Sequence, residues 1–254
     1  MADSTVKKPH SSGEHDAEVV RYRVGEQGYQ DVSSYDASRY AGPANEYKQA
    51  VMANAYRVLI GPLQGKRILD VGCGTGRGVV DFGREAAIAV GTDASVDMLC
   101  YAKSKVNDGR PCCFAVSFAQ HLPFADASFD VVTSLNFLHL FSLETQEQMI
   151  AEMKRVVKPG GILVLEFDNA LNGLLIGPYK RWKGIERGSL PQEIRRVIGH
   201  RCRVLRRYGA VFPILWRLFY HFPRFFSSFE KLAYVPPFNF LAHRIYYQLT
   251  KYNS

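Results

Sequence analysis

The run Arg67-Ile68-Leu69-Asp70-Val71-Gly72-Cys73-Gly74-Thr75-Gly76 governs the reading of this chain. Ile68, Leu69 and Val71 form a short apolar stretch, the pattern of a strand buried on both faces. Three glycines follow at alternate positions. Glycine adopts the backbone angles of a tight turn without steric cost and lets a ligand approach bare main chain. A second apolar run, Ile88–Thr92, ends at Asp93, 23 residues beyond Asp70. An acid at that point can accept hydrogen bonds from both hydroxyls of a ribose. The glycine turn alone also fits a close-packed strand–helix junction. Turn and acid together favour a nucleoside site.

Outward from this run, strands and helices alternate. The pattern predicts a helix from the turn to about Glu85, and a helix over Ser95–Val106 opened by a serine N-cap. Strands are expected at Cys112–Ser117 and Phe129–Ser134, then a helix over Glu144–Val157. Lys158-Pro159-Gly160-Gly161 reads as a turn before a strand at Ile162–Phe167. Later segments are weaker: a helix from about Ser189 to Ile198, and strands at Cys202–Tyr208 and Ala242–Leu249. Upstream, Pro43 starts a helix with Tyr47, Val51, Ala55, Val58 and Leu59 on one face, ending at Gly61-Pro62. Alternating strands and helices predict an α/β fold with a doubly wound, mostly parallel, seven-stranded sheet. The expected organisation is a flexible polar tail over 1–30 and a single domain over 31–254. Within it lie a cap (31–62), a cofactor-binding core (63–170) and an acceptor-side part (171–254).

Two nucleotide motifs are excluded. A dinucleotide fingerprint needs a third glycine where Arg77 stands, and no G-K-[ST] is present for a P-loop. Four stretches instead resemble class I S-adenosylmethionine-dependent methyltransferases, and are most similar to the type 11 or quinone-methylating group. They are ILDVGCGTGRG, GTDASVDML, HLPFADASFDVV and EMKRVVKPGGILVLEF, in family order across about residues 65–168. The resemblance implies a Rossmann-like fold, S-adenosyl-L-methionine as cofactor and a small-molecule methyl acceptor. It implies that Asp70, Gly72, Cys73, Gly74 and Gly76 surround the methionine and ribose part, and that Asp93 holds the ribose hydroxyls. Ala94 and Met98 would lie near the adenine, Phe118 and Ala119 at its edge, and Leu135 and Asn136 would face cofactor and acceptor. Tyr35, Arg39 and Tyr40 precede the first strand, where the family places a cap over the cofactor. Arg39 or Tyr40 would reach the methionine carboxylate, the alternative being ordinary cap-helix packing.

One departure stands out. Many members carry an acid at the position of Phe118 that bonds the adenine amine. A phenyl ring cannot, so Phe118 is expected to pack against the adenine face. His139, just past the fourth strand, is the candidate catalytic residue, as a base for an acceptor hydroxyl; the alternative is a structural histidine. Pro236-Pro237-Phe238 and Pro111-Cys112 resemble motifs of DNA methyltransferases but stand at the wrong places.

The net charge of +8 is uneven: from Pro178 onward there are 15 Lys/Arg and 3 Asp/Glu. Between Tyr208 and Tyr247 lie 14 of the 32 aromatic residues. The segment about 211–241 interleaves them with Arg217, Arg224 and Lys231. It reads as an aromatic insertion that packs on the core, meets a lipophilic acceptor or anionic membrane surface, or binds nucleic acid. Its apolar density disfavours the last. Five cysteines form no C-x-x-C pair, so no metal site is expected. The polar N-terminus is not a secretory signal, and no apolar run reaches a membrane span. A cytoplasmic protein is the expectation, with peripheral attachment to a membrane through 211–241 as its variant. An RNA methyltransferase and a non-catalytic cofactor-binding module are the alternatives.

Overall fold

The computed structural model describes residues 32–40, 42–106, 109–170, 188–200, 202–210 and 242–252. The proposed tail 1–30 and the aromatic insertion 211–241 lie outside the described residues. In chain order the elements are α1 (Val32–Tyr40), α2 (Pro43–Ile60), β1 (Arg67–Val71), α3 (Arg77–Phe82), β2 (Ile88–Asp93), α4 (Val96–Ser104) and β3 (Cys112–Val116). There follow β4 (Phe129–Ser134), a 3-10 turn (Leu138–Leu140), α5 (Leu143–Val156), β5 (Val157–Asp168), α6 (Pro191–Ile198), β6 (Cys202–Ala210) and β7 (Arg244–Lys251). The fold is α/β and Rossmann-like.

The seven strands form one sheet in the order β3-β2-β1-β4-β5-β7-β6. β1 pairs in parallel with β2 and β4, β2 with β3, and β4 with β5. β7 runs antiparallel to both neighbours. Strand order reverses between β1 and β4. In an open α/β sheet a ligand crevice forms at that switch point, beyond the carboxyl ends of the strands.

Side-chain alternation divides the core between the two faces of the sheet. Leu69, Val132, Leu163, Leu165 and Ile245 meet Met149, Ile150 and Met153 of α5 and Ile194 and Val197 of α6 on one face. Ile68, Val131, Val164 and Tyr246 meet Met52, Ala55 and Leu59 of α2 and Val79 and Phe82 of α3 on the other. The helix starts follow local chemistry. Ser95 Oγ accepts from Met98 N at the start of α4, and Ser142 Oγ from Thr145 N at the start of α5. At the start of α6, Pro191 needs no partner for a missing N–H, and Glu193 Oε2 accepts from Leu190 N at 2.7 Å.

Beyond shifts of about two residues at the ends of α4, β6 and β7, the structure departs from the sequence reading at three places. α1 was not foreseen as a helix. α3 ends at Phe82, short of Glu85, because Gly83 terminates it. The Lys158–Gly161 turn lies inside β5: pairing with β4 jumps from Phe129↔Val157 to Val131↔Ile162, and Gly160 takes φ +72°. Asp130 pins this excursion, accepting from Arg67 N at 2.8 Å and from Lys158 Nζ at 2.6 Å.

Arg155 ties two of the family-like stretches together. Its guanidinium donates to Leu122 O at 2.9 Å, Phe124 O at 2.7 Å and Asp126 Oδ1 at 2.8 Å, while pairing with Glu152. Glu152 in turn accepts from Leu122 N. The Leu-Pro-Phe loop is thus held by α5 rather than by apolar packing alone.

Leu163 is fully buried at the centre of the sheet. Leu163→Ala is expected to cost about 2–5 kcal/mol through lost contacts and a residual cavity. Urea unfolding followed by circular dichroism would read this as a lower midpoint with an unchanged slope.

Candidate functional site

The site is built where β1, β2 and β4 end. The chain leaves β1 through Gly72, Gly74 and Gly76, at φ +73°, +52° and +70°. L side chains disfavour these angles, so the turn depends on glycine. Gly72 N and Cys73 N both donate to Thr92 O, at 2.8 and 2.9 Å, locking the turn to the end of β2. A Cβ on Gly72 would stand 2.3 Å from the Phe137 ring, whereas one on Gly74 would meet nothing within 4 Å. The turn is therefore covered at its first glycine and open at its second.

Asp93, at the end of β2, is oriented by two amides. Gly74 N donates to Oδ2 at 2.9 Å and Ser95 N to Oδ1 at 3.0 Å. Each carboxylate oxygen has a second lone pair, so both can still accept from ribose hydroxyls. Ala94 is half-buried beside it, and Met98 is buried on the first turns of α4. Phe118 follows β3 with 49% of its surface exposed, and its carbonyl accepts from His121 N. The exposed ring offers a face on which an adenine can stack. Ala119 is buried.

Asp70 is buried under the turn. Its Oδ1 accepts from Thr133 Oγ1 of β4 at 2.7 Å, joining the two strands of the switch point. Burial pushes its carboxyl up to about 7; the Thr133 bond opposes this, and Asp93 and Glu166 add to it. Burial also raises the Cys73 thiol, assisted by Asp70 and Asp93. The thiol therefore stays protonated and is no nucleophile.

Several site residues carried no signal in the sequence. Asp36 of α1 accepts from Thr75 Oγ1 at 2.8 Å and forms an ion pair with Lys105, which also donates to Thr75 O at 3.0 Å. This clasp joins α1, the glycine turn and the end of α4. Arg39 and Tyr40 lie on α1, but their side chains lie outside the described residues. Past β4, Leu135 packs against the α2-side core. Asn136 takes φ +53°, and its N–H donates to Glu166 Oε2 at 3.2 Å. His139 sits on the 3-10 turn with Nδ1 3.4 Å from Arg244 Nη1. Among the described residues no His/Cys/Asp/Glu group is arranged to hold a metal ion.

Residues 69–165 match the family described as a methyltransferase domain. The match runs from β1 to β5. An uncharacterised methyltransferase of Synechocystis sp. is 35% identical over 101 residues, 40% of this chain and 46% of its own. The demethylmenaquinone methyltransferase of Mycobacterium tuberculosis is 36% identical over 124 residues, 48% of this chain and 49% of its own. The chain spans about half the length of the curated relatives it matches. Among solved structures, an S-adenosylmethionine-dependent methyltransferase from Mesorhizobium loti has TM-score 0.59 at 15% identity, covering 81% of this chain and 100% of that one. A second, from Methanosarcina mazei, has TM-score 0.57 at 17% identity, covering 80% and 98%. These likenesses bear on the fold, which is that of class I methyltransferases.

The residues of the turn fit S-adenosylmethionine, on which the Mesorhizobium loti neighbour depends. The open face at Gly74 and the oriented Asp93 suit a nucleoside. The carboxylate of Asp93 beside the turn suits a cationic sulfonium.

The raised Asp70 carboxyl has a consequence for stability. The folded chain holds that proton up to about pH 7, whereas an unfolded aspartate loses it near 4. This contribution is complete below about pH 4 and is lost as pH rises through about 7. Asp70→Asn keeps an oxygen for Thr133 and no longer titrates. Denaturant midpoints from pH 4 to 8 are expected to fall less steeply in the variant than in the wild type.

Proposed function

We propose that this chain moves a methyl group from S-adenosyl-L-methionine to an O, N or C nucleophile of a small lipophilic molecule, a quinol-like ring being the leading acceptor class. The observation that carries the reading is Asp93, held by Gly74 N and Ser95 N beside an open glycine turn. When bound, the cofactor supplies an electrophilic methyl group on a sulfonium. Asp93 would hold the ribose, Gly72, Cys73, Gly74 and Gly76 the methionine side, and Phe118 and Ala119 the adenine, with Ala94 and Met98 near it. Arg39 or Tyr40 would reach the carboxylate end. Leu135 and Asn136 would form the wall between cofactor and acceptor.

Methyl transfer from a sulfonium is an in-line displacement, so alignment supplies most of the acceleration and a base is optional. The quinol class is supported by the likeness to demethylmenaquinone methyltransferases. The composition of 211–241 agrees with it, being apolar enough for a lipophilic acceptor and basic enough for an anionic membrane surface. No helix among the described residues is long and apolar enough to cross a membrane.

Calorimetry with S-adenosylhomocysteine tests the cofactor half. Wild type is expected to bind, and Asp93→Ala to weaken binding by about 2–4 kcal/mol through two lost charge-assisted hydrogen bonds. Equal affinity of the two would remove Asp93 from the site. Phe118→Ala is expected to weaken the same binding, and Phe118→Asp to retain it by offering the adenine amine an acceptor. If neither change moves the affinity, Phe118 does not touch the cofactor. Transfer of labelled methyl to reduced naphthoquinones, catechols and total RNA, measured side by side, tests the acceptor half. Labelled quinol or catechol is the expected product, and labelled RNA alone would overturn it.

A further inference from the structure

A cavity of about 610 Å³ opens between the carboxyl end of α6 and strand β6, at the far edge of the sheet from the glycine turn. β6 stands four places from β1 in the strand order, about 20 Å away at ordinary strand spacing. Cys202, Val204 and Arg207 of β6 line the cavity. The crevice end of β6 is Ala210, paired with Arg244, whereas Cys202 pairs with Lys251 at the other end. An irregularity at Leu205 sets Val204 opposite Leu249 and Arg207 opposite Tyr247. Both partners belong to the core under α5 and α6. The extra residue therefore keeps Val204 and Arg207 on one face, towards α6.

The lining carries one sign of charge. Arg195, His200 and Arg207 bring donors to the cavity, and among the described residues no Asp or Glu lines it. Arg195 and His200 are exposed, and Arg207 is half-buried. Two lysines stand behind them. Lys154 Nζ donates to Ile198 O and lies 3.8 Å from where a Cβ on Gly199 would be. Burial raises the Cys202 thiol, and Lys154 and Lys251 both oppose this. The carboxyl end of a helix repels an anion. Here that end is answered, since Gly199 N donates to Arg195 O at 3.0 Å and Lys154 occupies the Ile198 carbonyl. Ile198, Val204 and Tyr247 supply an apolar wall, and Val204 is 47% exposed.

The geometry points to a second small-molecule site in this cavity, one that takes an amphiphilic oxyanion. A phosphate or carboxylate head meets the guanidinium groups of Arg195 and Arg207, and the apolar body covers Val204 beside Tyr247. Guanidinium forks match either head. The volume suits a small ligand. A bare anion leaves the apolar wall wet, and a neutral apolar molecule leaves the cations without a partner. This site is independent of the methyltransferase reading.

Octyl phosphate, kept below its micelle concentration, is the probe, titrated into the full chain and followed by amide NMR and calorimetry. One saturable site is expected, with the largest shifts at Gly199, Cys202, Val204 and Arg207. Inorganic phosphate and octyl glucoside are each expected to bind at least about tenfold more weakly, since each engages one wall only. Arg195→Gln, a change at an exposed position, is expected to weaken octyl phosphate about tenfold. Val204→Glu is expected to weaken it further by placing a carboxylate against the head. S-adenosylhomocysteine affinity is expected to stay the same in both variants.

Largest shifts at Asn136 and Leu138 would put the probe in the cofactor crevice and overturn the proposal. Equal binding of inorganic phosphate or of octyl glucoside overturns it as well, as does an Arg195→Gln variant that binds like wild type. The same head could belong to a membrane lipid. Co-sedimentation with phosphatidic acid vesicles but no binding of monomeric octyl phosphate would mean a membrane surface in place of a pocket. The wild-type shift map alone decides the location should Val204→Glu not fold.

Discussion

The carbonyl of Thr92 is the point on which the site depends. It accepts from Gly72 N and Cys73 N together. Two donors on one oxygen fold the exit of β1 back over the exit of β2, although the strands themselves are joined only by their ladder. The glycines make the turn accessible, but this fork fixes where it stands. Asp93, the next residue after Thr92, then faces Gly74 N, and its carboxylate needs no rearrangement to take up its place. Backbone partners orient it, so the geometry belongs to the strand order rather than to side-chain packing.

A second constraint is electrostatic. Asp70, Glu166 and Arg244 are almost wholly removed from water around the ends of β1, β5 and β7. Burying an unpaired carboxylate is costly, and a buried group neutralises where it finds no countercharge. Among the described residues Asp70 has Thr133 but no cation, and burial raises it. Glu166 has Arg244, which opposes its burial term. The two acids beneath the same crevice thus answer burial differently, one by holding its proton and one by pairing. Pairing with Arg244 also connects β7, the sheet's antiparallel strand, to the turn that carries His139.

Much of this was legible in the residues. The glycine turn, Asp93 and the strand–helix alternation are local patterns, and local patterns survive reading in one dimension. Ser95 caps its helix as short-range chemistry requires. The misses share a cause. Asp36 meets Thr75 and Lys105 across 39 and 69 residues, and Arg244 meets His139 across 105. No spacing rule joins such residues; only the sheet order brings them together. α1 went unseen because Val32–Tyr40 has little apolar periodicity and no acid in its first turn. The Lys158–Gly161 stretch was read as a turn before the strand, whereas the structure carries it within β5 as an irregularity, because pairing with β4 begins at Val157, which the sequence does not display.

The clasp at Asp36 gives α1 a thermodynamic character of its own. Nine residues of weak amphipathicity are too few to be stable as an isolated helix. α1 therefore draws part of its order from Thr75 and Lys105. Both ends of the ion pair are about one quarter exposed, so dissolved salt screens the attraction. Opening of α1 then becomes a local, ionic-strength-dependent equilibrium rather than part of global unfolding. Amide exchange in α1 and in the glycine turn would rise together as salt is added, while the strands beneath keep their protection.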